Sequence, residues 1–218
     1  LRLCDLVAKH AIELLVPCFK RNRVLTRLHL RNLTTTHLTL MGNALAENGP
    51  NALQEMDLSG TRISEKACRA LALSMVVKEY GLRVLSLSGC ELSARSIGVL
   101  FREGFLPSPE VTIMMEDLDV SDNKFDEEGS LLLQVWMSKI GKRGQLRRLN
   151  LAHTGASLPL ILPALESLEL LEYLNVSGCA LDLDTAQILA KVISCSSRFK
   201  TLDVSNCSLA PSCMSVLL

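Results

Sequence analysis

The sequence has no excess of charge of either sign, because 23 Lys and Arg residues balance 23 Asp and Glu residues. This balance excludes an overall field that would draw the chain to nucleic acid or to an anionic membrane, so charge-based recognition must be local. Long apolar runs are also lacking. The most apolar stretch, 158–165, is interrupted by Pro159 and Pro163 and is far shorter than the roughly 18 residues that span a bilayer. The sequence predicts no transmembrane segment.

Motifs of catalysis and ligand binding are lacking too. There is no P-loop, no strand-linked GxGxxG and no G-x-S-x-G. The histidines are His10, His29, His37 and His153, and none stands at metal-ligand spacing from Cys, Asp or Glu. Two acidic groups resemble catalytic carboxylates. The first is Glu55 with Asp57, and the second consists of Glu116, Asp117 and Asp119. Both fall on predicted strands, on an open sheet rather than in a pocket. We expect no enzymatic activity, no metal and no cofactor.

The eight cysteines show no paired spacing, and no basic segment followed by an apolar one opens the chain. We interpret them as reduced thiols of a cytoplasmic protein.

One phrase recurs seven times, an apolar-x-x-apolar-x-apolar core followed three residues later by Asn, Cys or a small residue. The copies begin at Leu25, Leu53, Leu82, Met115, Leu146, Leu171 and Phe199, spaced by 25 to 33 residues. The alternation predicts a short strand with its apolar side chains on one face. The small or polar position is occupied by Thr61, Cys90, Asn123, Thr154, Cys179 and Cys207, where we expect the chain to turn off the strand.

A helical pattern follows each turn, with starts predicted at Ser64, Ser93, Asp126 and Asp184, the last forming a capping box with Gln187. An inward stripe of Leu132, Val135, Trp136 and Ile140 is predicted on the helix after Asp126. One strand and one helix in about 28 residues is typical of the ribonuclease-inhibitor-like leucine-rich repeat. We therefore predict an α/β solenoid, a horseshoe with parallel strands on its concave face and helices on its convex face.

One such repeat cannot fold alone. Ordering its residues costs on the order of 1–2 kcal/mol each, and some eight buried apolar side chains return only about 1.5–3 kcal/mol apiece. We predict a single domain over 1–218 with about seven repeats. Residues 1–24 are predicted as the helix of a preceding repeat, without a strand before it, and 210–218 as a truncated last helix. These ends suggest a fragment of a longer array.

The alternation also predicts which side chains face outward from the sheet. The first column is Arg27, Glu55, Val84, Asp117, Arg148, Tyr173 and Thr201, and the second is His29, Asp57, Ser86, Asp119, Asn150, Asn175 and Asp203. The middle is acidic, bracketed by Arg27 and Arg31 on one side and by Arg147 and Arg148 on the other. The candidate partner-binding residues are Arg27, His29, Glu55, Asp57, Asp117, Asp119, Arg148 and Tyr173. They suit a partner with a basic patch, although Asp and Ser in "LDLS" are also ordinary solvated residues of such repeats.

Two further features have alternative interpretations. Trp136 is of a residue type that is common at interaction hot spots, but its helical spacing favours core packing. The less regular segment Arg31–Gly49 is either a distorted repeat or a mobile excursion that carries binding.

The order of particular phrases resembles the CARMIL family, the capping-protein, Arp-complex and myosin-I linker scaffolds of the actin cytoskeleton. "MDLSGTRISEKACRALALSM" is followed by "LSLSGCELSARSIGVL", then by "LDVSDNKFDEEGSLLLQVWMSK" and "LRRLNLAHT". The resemblance covers about 53–209. The sequence departs from the family pattern at 158–165 and 34–50, which leaves its subfamily open.

The resemblance implies a cytoplasmic, cortex-associated scaffold with a pleckstrin-like domain before the repeats and a dimerisation region and capping-protein-binding tail after them. The tail motif is absent here, so no capping-protein-binding residue is transferred, and oligomerisation is expected outside this region. We therefore expect a non-enzymatic protein-interaction scaffold of an actin-assembly regulator, with no nucleic-acid partner and no membrane insertion. The alternatives are the sensing or autoinhibitory array of a cytosolic nucleotide-binding immune receptor and a ribonuclease-inhibitor-like enzyme inhibitor.

Overall fold

The computed structural model describes residues 2–4, 11–31, 33–49, 51–76, 81–107 and 113–217. Strands and helices alternate along these residues. The strands are β1 (Arg2–Cys4), β2 (Arg27–Arg31), β3 (Glu55–Asp57), β4 (Val84–Ser86), β5 (Asp117–Asp119), β6 (Arg148–Asn150), β7 (Tyr173–Asn175) and β8 (Thr201–Asp203). The helices are α1 (Ala11–Arg21), α2 (Thr35–Glu47), α3 (Glu65–Val76), α4 (Ala94–Val99), α5 (Glu127–Ile140), α6 (Leu158–Leu165), α7 (Leu183–Cys195) and α8 (Pro211–Leu217). A π-helical turn, Leu100–Phe105, extends α4.

The strands form one parallel sheet in which each strand pairs with the next along the chain, from β1 to β8. The predicted α/β class and parallel sheet are therefore confirmed. Pairing continues beyond the short strands, because the amide of Leu58 donates to the carbonyl of Ser86 at 2.9 Å and that of Leu87 to Asp119 at 2.8 Å. Each strand–helix unit thus satisfies its backbone groups on its neighbours.

The predicted inward side chains form the core of the sheet. In β2 to β7 and the residue after each, these side chains are at most 2 % exposed: Leu28, Leu30, Met56, Leu58, Leu85, Leu87, Leu118, Val120, Leu149, Leu151, Leu174 and Val176. Leu202 and Val204 at β8 are only half-buried, because no further strand–helix unit covers them in the described residues.

The small or polar position after each strand from β3 to β8 is buried, and these six positions form the predicted ladder. Cys90 Sγ lies 3.2 Å from the carbonyl of Leu58, and Asn123 Nδ2 donates to the carbonyl of Leu87 at 2.8 Å. Thr61, Cys179 and Cys207 likewise reach the preceding unit, whereas Thr154 bonds within its own turn. These side chains therefore satisfy carbonyls that the turn would otherwise bury unpaired.

The chain start differs from the prediction. Residues Arg2–Cys4 form a strand whose residues pair with His29, Leu30 and Arg31 of β2, so the helix predicted over 1–24 was wrong at its beginning. Its helical part begins at Ala11 within the described residues. The alternation in "LRLC" matches a strand, but it is too short to be distinguished from a helix turn by periodicity. The segment predicted as the last helix contains α8.

The structure decides several of the predictions made for the helices. Ser93 and Asp126 cap α4 and α5, but α7 is capped by Asp182 instead of Asp184, so the capping box with Gln187 was wrong. The irregular segment after Arg31 contains the regular helix α2, capped by Thr34.

Trp136 is fully buried and packs against Phe101 and Phe105, with ring centroids 6.2 and 5.1 Å away. It is therefore a core residue. Its buried companions on α5 are Leu133, Met137 and Ile140, while Leu132 and Val135 are only half-buried. The predicted stripe was rotated by one residue.

Candidate partner-binding face

The open face of the sheet, defined by the two outward columns, has the register that the repeat alignment predicts. Arg27, Glu55, Val84, Asp117, Arg148, Tyr173 and Thr201 are successive strand partners, and so are His29, Asp57, Ser86, Asp119, Asn150, Asn175 and Asp203. Neighbouring parallel strands lie about 4.8 Å apart, so each column brings side chains from distant parts of the sequence into one row.

A shallow groove of about 280 Å³ runs across the middle of this face. Seven of the eight candidate residues line it, namely His29, Glu55, Asp57, Asp117, Asp119, Arg148 and Tyr173. Arg27 is exposed beside the groove and pairs with Glu55 through Nε at 3.1 Å from Oε2. The groove floor contains Met56 and Leu85, and Arg31 lines its wall.

Arg31 is the main residue that the candidate set omits. Its Nε and Nη2 lie 2.9 and 2.5 Å from Oδ2 of Asp57. His29 Nδ1 lies 3.8 Å from the same oxygen. The alternation of residues 27, 29 and 31 along β2 was the signal that could have included Arg31, since it places all three on the open face.

Asp57 is held by several donors at once. Its Oδ1 accepts hydrogen bonds from the amide and hydroxyl of Ser59, at 3.0 and 2.7 Å. Burial raises the pKa of Asp57, but the hydrogen bonds from Ser59 and Arg31 outweigh it and hold the pKa below its ordinary value. This carboxylate is therefore fixed and charged at neutral pH.

Asp117 occupies a different environment one column over. Arg148 Nε lies 3.2 Å from Asp117 Oδ2, and the Arg148 guanidinium also stacks on the Tyr173 ring at 4.1 Å from its centroid. Burial nevertheless raises the pKa of Asp117, and the neighbouring charge of Asp119 adds to this effect against the opposing attraction of Arg148. Burial is thus the main cause of the raised pKa of Asp117, and the attraction of Arg148 does not overcome it.

The predicted bracketing of the acidic centre by arginines holds only in part. Arg31 and Arg148 do not stand apart from the acidic residues but bind Asp57 and Asp117 directly. Arg147 points to a different row, where its Nη1 lies 2.9 Å from Glu172 Oε1. Glu116 also lies outside the groove and accepts from Arg83 at 2.7 Å.

In the described part of the chain, no three His, Cys, Asp or Glu side chains are placed to hold a metal ion. His10 lies outside the described residues, and His37 is buried in α2 away from the groove. Among the helices that the structure describes, none is both long and apolar enough to traverse a bilayer.

Comparison with known proteins adds no relative. No protein-family model matches the chain, and no curated protein matches it at a significant level.

Proposed function

We propose that the chain is a ribonuclease-inhibitor-like leucine-rich-repeat horseshoe whose open face is its concave surface. Three observations support this proposal. The strands pair in chain order, one helix follows each strand, and a buried ladder of Asn, Cys and Thr recurs at every turn from Thr61 to Cys207. Stacked units that each bury the flank of the next are the basis of repeat architectures.

We propose further that this protein is a non-enzymatic scaffold that binds another protein through the concave groove. The observation that carries the proposal is the convergence of seven outward side chains on one open, mainly charged groove. Its volume of about 280 Å³ is at or below the roughly 300–1,000 Å³ of pockets that enclose small molecules. The groove is lined by four carboxylates and two arginines, and this excess of negative charge suits a partner with a basic patch.

The order of phrases resembling CARMIL proteins supports a place among cytoplasmic regulators of actin capping protein and actin assembly. The test is affinity capture from cytosol, with bound proteins identified by mass spectrometry. We expect actin-assembly factors to be enriched on the wild-type chain. A chain with Glu55→Gln, Asp57→Asn, Asp117→Asn and Asp119→Asn should lose them.

The matched control neutralises four exposed carboxylates outside the groove, by Glu→Gln at Glu91, Glu127, Glu166 and Glu169. It should capture as the wild type does. If both quadruple variants capture the actin-assembly factors equally, the groove is not the surface that binds them. If only unrelated proteins are enriched, the actin-assembly role is contradicted.

The acidic groove also favours a second candidate, an inhibitor that encloses a basic enzyme. That function predicts binding to a basic enzyme such as a pancreatic-type ribonuclease that weakens steeply with salt, because the interacting charges are screened. Unchanged affinity of the groove quadruple variant for such an enzyme would exclude this candidate.

A further inference from the structure

Asp119 differs from the other three carboxylates of the groove in having no cationic partner among the residues that the structure describes. Glu55 pairs with Arg27, Asp57 with Arg31 and Asp117 with Arg148. Within the described residues, the side chain of Asp119 bonds only to Ser121, whose amide and hydroxyl both donate to Oδ1, at 3.0 and 2.6 Å. Its Oδ2 accepts no hydrogen bond from the described residues.

Within the described part of the chain, the neighbours of Asp119 in its column carry no charge. Its partners across the sheet in the same column are Ser86 and Asn150, which are neutral and can donate or accept hydrogen bonds. Burial raises the pKa of Asp117, Arg148 opposes this effect, and the neighbouring charge of Asp119 adds to it. A cation placed here would gain attraction from two carboxylates in a half-buried site.

The same face already holds a guanidinium in this kind of setting. The Arg148 guanidinium lies over the Tyr173 ring and its Nε reaches Asp117, so an aromatic ring and a carboxylate together position a planar cation. Arg148 binds Asp117, and no cation among the described residues pairs with Asp119, two residues further along β5.

We propose that Asp119 receives one arginine or lysine side chain from a basic segment of the partner protein, and is the specificity-determining carboxylate of the groove. This inference rests on the proposed scaffold function and names the chemistry of its partner. The partner's cation binds Asp119 Oδ2 between Ser86 and Asn150. The three paired carboxylates shape the groove and do not exchange their arginines.

The test uses Asp119→Asn, which removes the charge and retains the turn. Asparagine at the same column position makes the same bond in the next two units, where Asn150 Oδ1 accepts from Ala152 at 3.1 Å and Asn175 Oδ1 from Ser177 at 2.9 Å. The matched control is Asp203→Asn, since Asp203 holds Ser205 in the same way and lies outside the groove. Both variants change the net charge equally.

The probe is a fluorescent peptide of four Arg-Gly pairs, with four Glu-Gly pairs as the negative probe, measured by fluorescence anisotropy. We expect the Arg-Gly peptide to bind the wild type and Asp203→Asn equally, and Asp119→Asn about tenfold more weakly, the effect of losing one charge-assisted hydrogen bond. Equal weakening in the two variants, or no binding by the wild type, would overturn the inference.

The peptide assay does not depend on the cellular partner, so it fails separately from the capture experiment. If the peptide selects Asp119 but no actin-assembly factor is captured, the inference stands and the proposed role in actin assembly falls. If actin-assembly factors are captured equally by wild type and Asp119→Asn, the scaffold stands and the inference falls.

Discussion

The guanidinium carbon of Arg148 lies 4.1 Å from the centroid of the Tyr173 ring, and the two residues are direct partners on neighbouring strands. The stack is half-exposed, so its contribution is modest. Double-mutant analysis with Arg148→Ala and Tyr173→Ala should give a coupling free energy of about 0.5–1 kcal/mol in urea unfolding. Strictly additive effects would show that the stack contributes nothing to stability.

Asn123 provides a sharper test of the buried ladder. Its Nδ2 lies within 3.0 Å of the carbonyls of Leu87, Val120 and Ser121, and its Oδ1 accepts from the amide of Leu92 at 2.9 Å. Asn123→Ala leaves these buried groups unpaired and should lower the free energy of unfolding by about 2–4 kcal/mol.

The control for that prediction is Asn123→Cys, because cysteine occupies the same ladder position at Cys90, Cys179 and Cys207. The thiol of Cys90, for example, lies 3.2 Å from the carbonyl of Leu58 in the preceding unit. We expect a clearly smaller loss than with alanine, by the same urea titration. Equal losses would mean that the ladder acts by packing alone.

The contributions of Asp57 and Asp117 to the free energy of unfolding should change with pH in opposite directions. Burial raises the pKa of Asp57 in the folded protein, but hydrogen bonds from Ser59 and Arg31 outweigh burial and lower it. The contribution of Asp57 to the free energy of unfolding is therefore present above the unfolded pKa of about 4, and it is lost as the pH falls through the lower folded value. Burial raises the pKa of Asp117, so its ionisation costs stability at neutral pH, and that cost disappears as the pH falls through the raised value.

The measurement compares urea unfolding of the wild type, Asp57→Asn and Asp117→Asn from about pH 7 to below about pH 4. The wild type should lose stability relative to Asp57→Asn as the pH falls, and gain stability relative to Asp117→Asn. Parallel curves for all three proteins would contradict both pKa directions.

The start of α7 tests the corrected helix cap. Asp182 Oδ1 accepts from the Thr185 amide at 2.8 Å, and the hydrogen bonds from Thr185 lower the pKa of Asp182. Asp182→Ala should therefore cost about 1 kcal/mol of stability. Asp184 is the second residue of α7, two positions after the cap, so Asp184→Ala should cost distinctly less, as measured by thermal or urea unfolding. The reverse order would restore Asp184 as the cap.

Much of this molecule follows from its local pattern. Alternation with period 2 in each copy of the repeated phrase determined which side chains face the core, and aligning the copies determined the strand register. The physical reason is that each strand pairs with its nearest neighbour in the chain, so an alignment of repeats is also an alignment in space. The outward columns, from Arg27 to Thr201 and from His29 to Asp203, could thus be written down beforehand.

Only the tertiary structure decided how those side chains combine. The sequence did not indicate that Arg31 would bind Asp57 or that Arg148 would join Asp117 to Tyr173. Nor did it indicate that, among the described residues, the Asp119 side chain would bond to Ser121 alone. Long side chains on one sheet face have several partners within reach, and small differences in burial and geometry choose between them. The same limit applies to the strand at Arg2–Cys4, which only its pairing with β2 distinguishes from a helix turn.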